Sequence, residues 1–162
     1  MSGQYTRKRR DQCIIFLDDA FDAKGIAERL IAAGYCGVER FTVHFPRKDN
    51  PEARQQNVKD TRVLKLCNTK GWLLVTTDSD MRYTHIEEIK KHTNLAILAT
   101  AHNSVHNPFD WVEGLEVGRT DIERLFKKQP TPWYAQFNRQ GKITTHFTVT
   151  EAHRTRRNRS NE

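Results

Sequence analysis

Four aspartates stand where apolar runs end. Cys13-Ile-Ile-Phe-Leu17 is followed at once by Asp18 and Asp19, and Trp72-Leu-Leu-Val75 by Thr76, Thr77, Asp78, Ser79 and Asp80. An ionised carboxylate is costly to bury unpaired. Acids in this position therefore belong just past a strand end, in a crevice facing water or a cation. Two runs with the same ending suggest one shared acidic site. Gathered at one sheet edge, Asp18, Asp78 and Asp80 would raise one another's pKa unless a cation held them. All-oxygen ligands of this kind suit Mg²⁺ or Mn²⁺. Two such ions, about 3.5–4 Å apart, can activate a water and stabilise the leaving oxygen in phosphodiester hydrolysis. Asp60 joins the constellation because it opens the helix expected before the third strand. A structural role competes for each acid: Asp60 as an N-cap or first-turn acid, Asp78 and Asp80 as turn formers.

The elements that must position these acids follow from periodicity. Residues 13–18 form a first strand and residues 24–33 a helix, with Ile26, Ala27, Leu30 and Ile31 on one face and Gly34 as its C′ residue. Val38, Phe41, Val43 and Phe45 predict a second strand, with period-two spacing from Phe41 onward. A polar loop at 46–57 leads to a helix at 59–70, with Val63, Leu64, Leu66 and Cys67 inward and Gly71 as its stop. The strand at 72–77 comes next. Thr84-His-Ile-Glu87 has the form of a capping box, which predicts a helix to about residue 92. Leu95-Ala-Ile-Leu-Ala-Thr100 is another buried strand. This alternation argues for a parallel α/β sheet, whose ligands bind outside the carboxyl ends of the strands. A second capping box, Thr120-Asp-Ile-Glu123, starts a helix to about Lys128, which Pro130 and Pro132 break. Strands at 133–138 and 142–149, turning at Gln140-Gly141, complete a C-terminal helix plus hairpin on the same domain.

The chain has 162 residues, enough for one domain with a real core. Lys plus Arg number 27 and Asp plus Glu 20, a net charge of +7. Much of the excess sits in basic ends expected to be disordered, residues 1–12 and 151–162. The basic balance favours a polyanionic partner. Cys13, Cys36 and Cys67 are far apart and without C-x-x-C, so they read as core thiols in a reducing compartment and not as a disulfide or zinc framework. No apolar run approaches membrane-spanning length. The run after the basic N-terminus is too short for a signal peptide and ends in acids. The expected location is the cytoplasm, with no membrane partner.

Phe16-Leu-Asp-Asp19, then Ile26, Leu30 and Gly34, then Asp60-x-x-Val-Leu64 and Gly71, then Leu74-Val-Thr-Thr-Asp-Ser-Asp80 together resemble the PIN-like domains. The closer resemblance is to the compact PIN-like group of prokaryotic toxin ribonucleases. It covers a core at about 13–100 within a domain at 13–150; residues 101–150 are similar to C-terminal extensions in that group. The resemblance implies a three-layer α/β/α sandwich and a metal-dependent ribonuclease acting on single-stranded or loop RNA. It implies metal-binding roles for Asp18, Asp60, Asp78 and Asp80. Thr77 would match the hydroxyl residue that orients the acids. It leaves room for a small antitoxin protein and a homodimer as partners. Met81, where the group commonly has an aromatic, and Ala20, where it has a polar residue, depart from the pattern.

Arg82 directly follows the acidic turn and is the best-placed candidate for phosphate contact. Lys24, Arg47, Lys48 and Arg62 are the others, each competing with a role as solvated surface charge. His102 and His106 have helical spacing but fall in an expected loop. Trp72, Trp111 and Trp133 read as core residues, with Trp133 and Tyr134 beside the hairpin as exceptions that would stack on bases. The alternative to an enzyme is a nucleic-acid-binding or interaction module with an inactive site. Phe16-Leu-Asp-Asp-Ala-Phe-Asp22 also resembles the nucleophile loop of haloacid-dehalogenase-like phosphatases. That chemistry wants a second acid two residues on, where this chain has Ala20 or Phe21.

Overall fold

Five parallel strands and one antiparallel return make a single sheet in the computed structural model, which describes residues 12–46, 56–102 and 107–147. The expected disordered ends, most of the 46–57 loop with Arg47 and Lys48, and His106 lie outside the described residues. The strands are β1 (Ile14–Leu17), β2 (Gly37–Arg40), β3 (Leu73–Thr76), β4 (Ala96–Thr100), β5 (Trp133–Phe137) and β6 (Ile143–Phe147). They lie in the order β2-β1-β3-β4-β5-β6, and only β6 runs antiparallel to its neighbour. Every residue of β3 and β4 is buried. Strands covered on both faces read as unbroken apolar runs, which is why these segments carry no alternation. The helices are α1 (Ile26–Ala32), α2 (Phe41–His44), α3 (Gln56–Lys70), α4 (Met81–Thr84), α5 (Ile86–Lys91), α6 (Phe109–Val117) and α7 (Arg119–Lys128).

Strand parity divides the core in two. Ile15, Leu17, Leu73, Val75, Ala96, Leu98, Trp133, Ala135 and Phe137 pack with residues of α1, α6 and α7. Phe16, Leu74, Ile97, Ala99 and Tyr134 pack with residues of α2, α3 and α5. The result is the expected three-layer α/β/α sandwich with a C-terminal hairpin. Position 18 continues the Phe16 parity and position 76 the Leu74 parity, so the sheet directs both toward the α3 layer.

The predicted second strand is cut short. β2 stops at Arg40, and Phe41–His44 turn into a helix. The cause is Asp22, from the connection after β1. Its carboxylate accepts from the Thr42 N–H at 2.8 Å, the Thr42 hydroxyl at 2.6 Å and Arg40 Nε at 2.6 Å. It thereby caps from a distance a helix whose own N-cap residue, Arg40, makes no capping bond with its side chain. Period two and helical spacing diverge at Val43, which is 64% exposed, while Phe41 and Phe45 meet at 5.1 Å between ring centroids.

Neither predicted capping box forms. Thr84 ends α4, and its hydroxyl bonds back to the Asp80 carbonyl at 3.4 Å. Thr120 lies inside α7, where Arg119 engages both oxygens of Glu123 at 3.1 Å. In both cases the helix start is set by the preceding turn. α6, which periodicity did not predict, buries Trp111, Val112 and Leu115. Its Gly114 lies against the hairpin turn, where a Cβ would run into the Asn138 carbonyl. Gly118 and Gly141 also touch backbone to backbone: a Cβ on Gly141, whose φ is +82°, would sit 2.7 Å from Gly118 N. The hairpin turn expected at Gln140-Gly141 is present, and its first strand is a full parallel member of the sheet beside β4. All three cysteines are free; Cys13 and Cys67 lie in the core as expected, but Cys36 is exposed, because it falls in the turn between α1 and β2. Trp133 and Tyr134 are completely buried, which removes them as base-stacking surfaces.

Two substitutions test these joints. Asp22→Ala is expected to lower stability by about 1–3 kcal/mol at pH 7, measured by urea unfolding. Burial works to raise the Asp22 pKa, but the bonds from Thr42 and Arg40 outweigh it and the net shift is downward. The stabilisation is thus complete above the unfolded aspartate pKa of about 4 and is lost as pH falls through the lower folded value. The wild-type and Asp22→Ala curves should accordingly converge in strong acid. Gly114→Ala is expected to cost about 1–3 kcal/mol, because its methyl meets backbone and not a movable side chain. An unchanged urea midpoint would contradict the close approach of α6 to the hairpin.

Candidate acidic site at the carboxyl edge of the sheet

β1 and β3 are neighbours in register, Leu17 opposite Val75, so Asp18 and Thr76 leave the sheet together. The Asp18 N–H continues the ladder to the Val75 carbonyl at 3.0 Å. Asp18 is 9% exposed. Its Oδ1 accepts from the Asp19 N–H at 2.9 Å, opening a short 3₁₀ turn at Asp19–Phe21, and its Oδ2 accepts from the fully buried Thr76 hydroxyl at 2.8 Å. The same Thr76 oxygen accepts from the Asp78 N–H at 3.2 Å. One hydroxyl therefore ties the ends of both strands. The hydroxyl that holds the acid is that of Thr76 and not of Thr77, whose backbone carbonyl accepts instead from Thr100 at 3.3 Å. Parity explains the exchange, since residues 18 and 76 point to one layer and residue 77 follows in the opposite phase.

The half-buried Asp78 accepts from the Asp80 N–H at 3.0 Å, forming a tight turn. Asp80 is exposed and starts α4 through its carbonyl, which accepts from the Tyr83 and Thr84 N–H groups at 2.8 and 3.1 Å. Between them, the buried Ser79 carbonyl accepts from the Tyr134 hydroxyl at 2.7 Å and from Gln136 Nε2 at 3.2 Å. β5 thus braces the acidic turn. Tyr134 has its pKa pushed up to about 12, first by burial; Asp78 and Asp80 add to the rise, while Gln136 and Arg82 oppose it. These charged groups therefore lie around one phenol.

Asp60 is 5% exposed and lies inside α3, which begins at Gln56, so it is not a helix cap. It shares the inward stripe of Leu64 and Cys67. His85 Nε2 lies 3.2 Å from its Oδ2. The Cys67 thiol is pushed well up by burial and then by the nearby Asp18 charge, which puts Asp18 on the same side as α3. Asp18, Asp78 and Asp80 therefore stand at the carboxyl ends of β1 and β3, with Asp18 and Asp78 joined through Thr76, while Asp60 stands on α3, joined to His85. Thr76, His85 and the Tyr134–Gln136 brace were not anticipated. Strand parity carried the signal for Thr76. His85 had no local signal, because its partner is 25 residues away.

The remaining candidates scatter. Lys24 and Arg62 are exposed, the first in the turn before α1 and the second on α3. Arg82 is half-buried, its guanidinium 4.5 Å from the Tyr83 ring centre and 5.8 Å from that of Tyr134. The exposed His102 packs on Trp111 at 6.3 Å between rings, and its carbonyl accepts from the Thr100 hydroxyl that also reaches the Thr77 carbonyl. Among the described residues, no three His, Cys, Asp or Glu side chains group closely enough to hold a metal ion. The donor chemistry is all oxygen apart from His85. Mg²⁺ commonly binds through one or two carboxylates and keeps several waters. Asp18 and Asp78 offer donors of that kind, linked here through the Thr76 hydroxyl and the Asp78 backbone N–H. No helix among the described residues is long and apolar enough to cross a membrane. Comparisons with protein-family models, curated proteins and solved structures returned no match.

The Thr76 bond is open to a direct measurement. Thr76→Val keeps the side-chain shape but leaves the buried Asp18 carboxylate short of a donor. It is expected to cost about 1–3 kcal/mol in urea unfolding at pH 7, with Thr76→Ser close to wild type. Thr77→Val should change stability by less than about 0.5 kcal/mol. The reverse ranking would return the orienting role to Thr77.

Proposed function

We propose that the protein is a metal-dependent endoribonuclease that hydrolyses RNA phosphodiester bonds at the Asp18, Asp60, Asp78 and Asp80 edge. One observation carries the reading: the Thr76 hydroxyl donates to the buried Asp18 and accepts from the Asp78 backbone, holding two acids at adjacent strand ends. The resemblance of 13–100 to PIN-like toxin ribonucleases and the net charge of +7 support it. A Mg²⁺ or Mn²⁺ ion bound there would supply an activated water and offset charge on the phosphate. In this reading Asp18 and Asp78 are the principal ligands and Thr76 fixes the Asp18 carboxylate. Asp60 and Asp80 complete the acidic surround. Arg82 meets substrate phosphate, while Lys24 and Arg62 draw RNA in by counterion release. The same resemblance extends the proposal to a toxin with a small antitoxin partner, acting in the cytoplasm, where three free thiols stay reduced.

A second reading, an RNA-binding module without turnover, is favoured by the absence of a three-donor group among the described residues and by the engagement of Asp60 with His85. Titration of Mn²⁺ by calorimetry, paired with cleavage of a structured RNA, separates the two. Binding and cleavage in the wild type, both lost in Asp78→Asn/Asp80→Asn, are the expected results. Wild-type cleavage by that variant would sink the site assignment. Salt-sensitive RNA binding with no metal uptake and no cleavage would establish the binding module.

A further inference from the structure

Tyr83 is a large aromatic residue left outside the core, beside the proposed site. It lies on α4, three residues after Asp80, and is 58% exposed, while Met81 of the same turn is buried. Exposed aromatics are common singly; this one comes with a charged partner. The Arg82 guanidinium covers one ring face at 4.5 Å, so the exposure belongs to the rest of the ring. Arg82 also lies 5.8 Å from the centre of Tyr134, and its Nε is buried without a hydrogen-bond partner. A guanidinium stacked by its planar face keeps its forked edge for a bidentate anion. The pair is also held in place. Tyr134 and Gln136 fix the Ser79 carbonyl, and the Asp80 carbonyl fixes the first turn of α4.

We propose that Tyr83 and Arg82 form a shelf for one unpaired nucleobase of single-stranded RNA, the base on the Tyr83 ring and its flanking phosphate on the Arg82 fork. The inference rests on the ribonuclease reading for its choice of RNA, and it adds a specificity element to the same edge. A base in a duplex is already stacked on both faces, so the shelf selects unpaired strands. Stacking tolerates any base, because each has a π-face, so selection is by strandedness and not by sequence. The juxtaposition with Asp78 and Asp80 places the held nucleotide beside the acids.

The test measures binding and not cleavage. Full-length protein carrying Asp78→Asn and Asp80→Asn, which lessens repulsion of RNA, is titrated in EDTA against a fluorescein-labelled octaribonucleotide, read by anisotropy. Adding Tyr83→Ala should weaken binding about tenfold or more, the scale of one base stack, and Tyr83→Trp should restore it. Both should bind the same octamer in a duplex equally. An abasic site moved along the octamer should weaken binding by the Tyr83 protein at one position and have no such effect with Tyr83→Ala. Equal octamer binding with and without Tyr83, or no octamer binding at all, overturns the shelf and leaves the cleavage test of the acids standing. A Tyr83-dependent loss in a protein whose wild type cleaves nothing keeps the shelf and sinks the ribonuclease reading.

Discussion

A carboxylate at the end of a buried strand, almost out of reach of water, must find hydrogen-bond donors or make the fold less stable by several kcal/mol. Asp18 meets this demand with the next backbone N–H and with the hydroxyl of Thr76 from the neighbouring strand. The second bond is possible only in the register that sets Leu17 beside Val75. The same hydroxyl then receives the Asp78 N–H, so the turn that follows β3 takes its shape from the need to satisfy an acid on β1. Asp80 and α4 follow from that turn.

The two faces of the sheet have different tasks. Toward α1, α6 and α7 it presents mostly apolar side chains, with the buried Thr100 at the end of β4, and the layer closes over them. Toward α3 the parity that buries Phe16 and Leu74 also carries Asp18 and Thr76 at the strand ends. α3 adds Asp60 in the stripe that buries Leu64 and Cys67. An acid in such a stripe is tolerated here because His85 reaches it. The acidic strand ends and the core are therefore continuous on this face.

The C-terminal third of the chain belongs to this arrangement. β5 pairs with β4 along its whole length, and its Tyr134 and Gln136 cross to the Ser79 carbonyl in the middle of the acidic turn. In sequence this part resembles an extension, yet in space its β5 braces the candidate site. The contacts among Gly114, Gly118, Gly141 and Asn138 let α6 and the hairpin approach closely enough for β5 to lie flat beside β4.

Apolar runs in β1, β3 and β4, and their endings in acids, were legible because burial on both faces leaves a local, unbroken pattern. Gly34 and Gly71 likewise marked helix ends, with φ of +111° and +71°. At Val38–Phe45 the alternation was a weak guide, because Asp22, 20 residues away, caps a helix there. Thr84 and Thr120 had the spacing of caps, but backbone geometry had already started those helices elsewhere. What the sequence by itself determined is the alternation of strands and helices through β4, the parallel α/β class and the acids' place at strand ends, all consequences of local hydrophobic pattern. Only the tertiary structure decided that Thr76, and not Thr77, holds Asp18, that His85 engages Asp60, and that β5 supports the turn. Each of these joins residues between 25 and 58 positions apart, and the strand register that aligns them leaves no local signature.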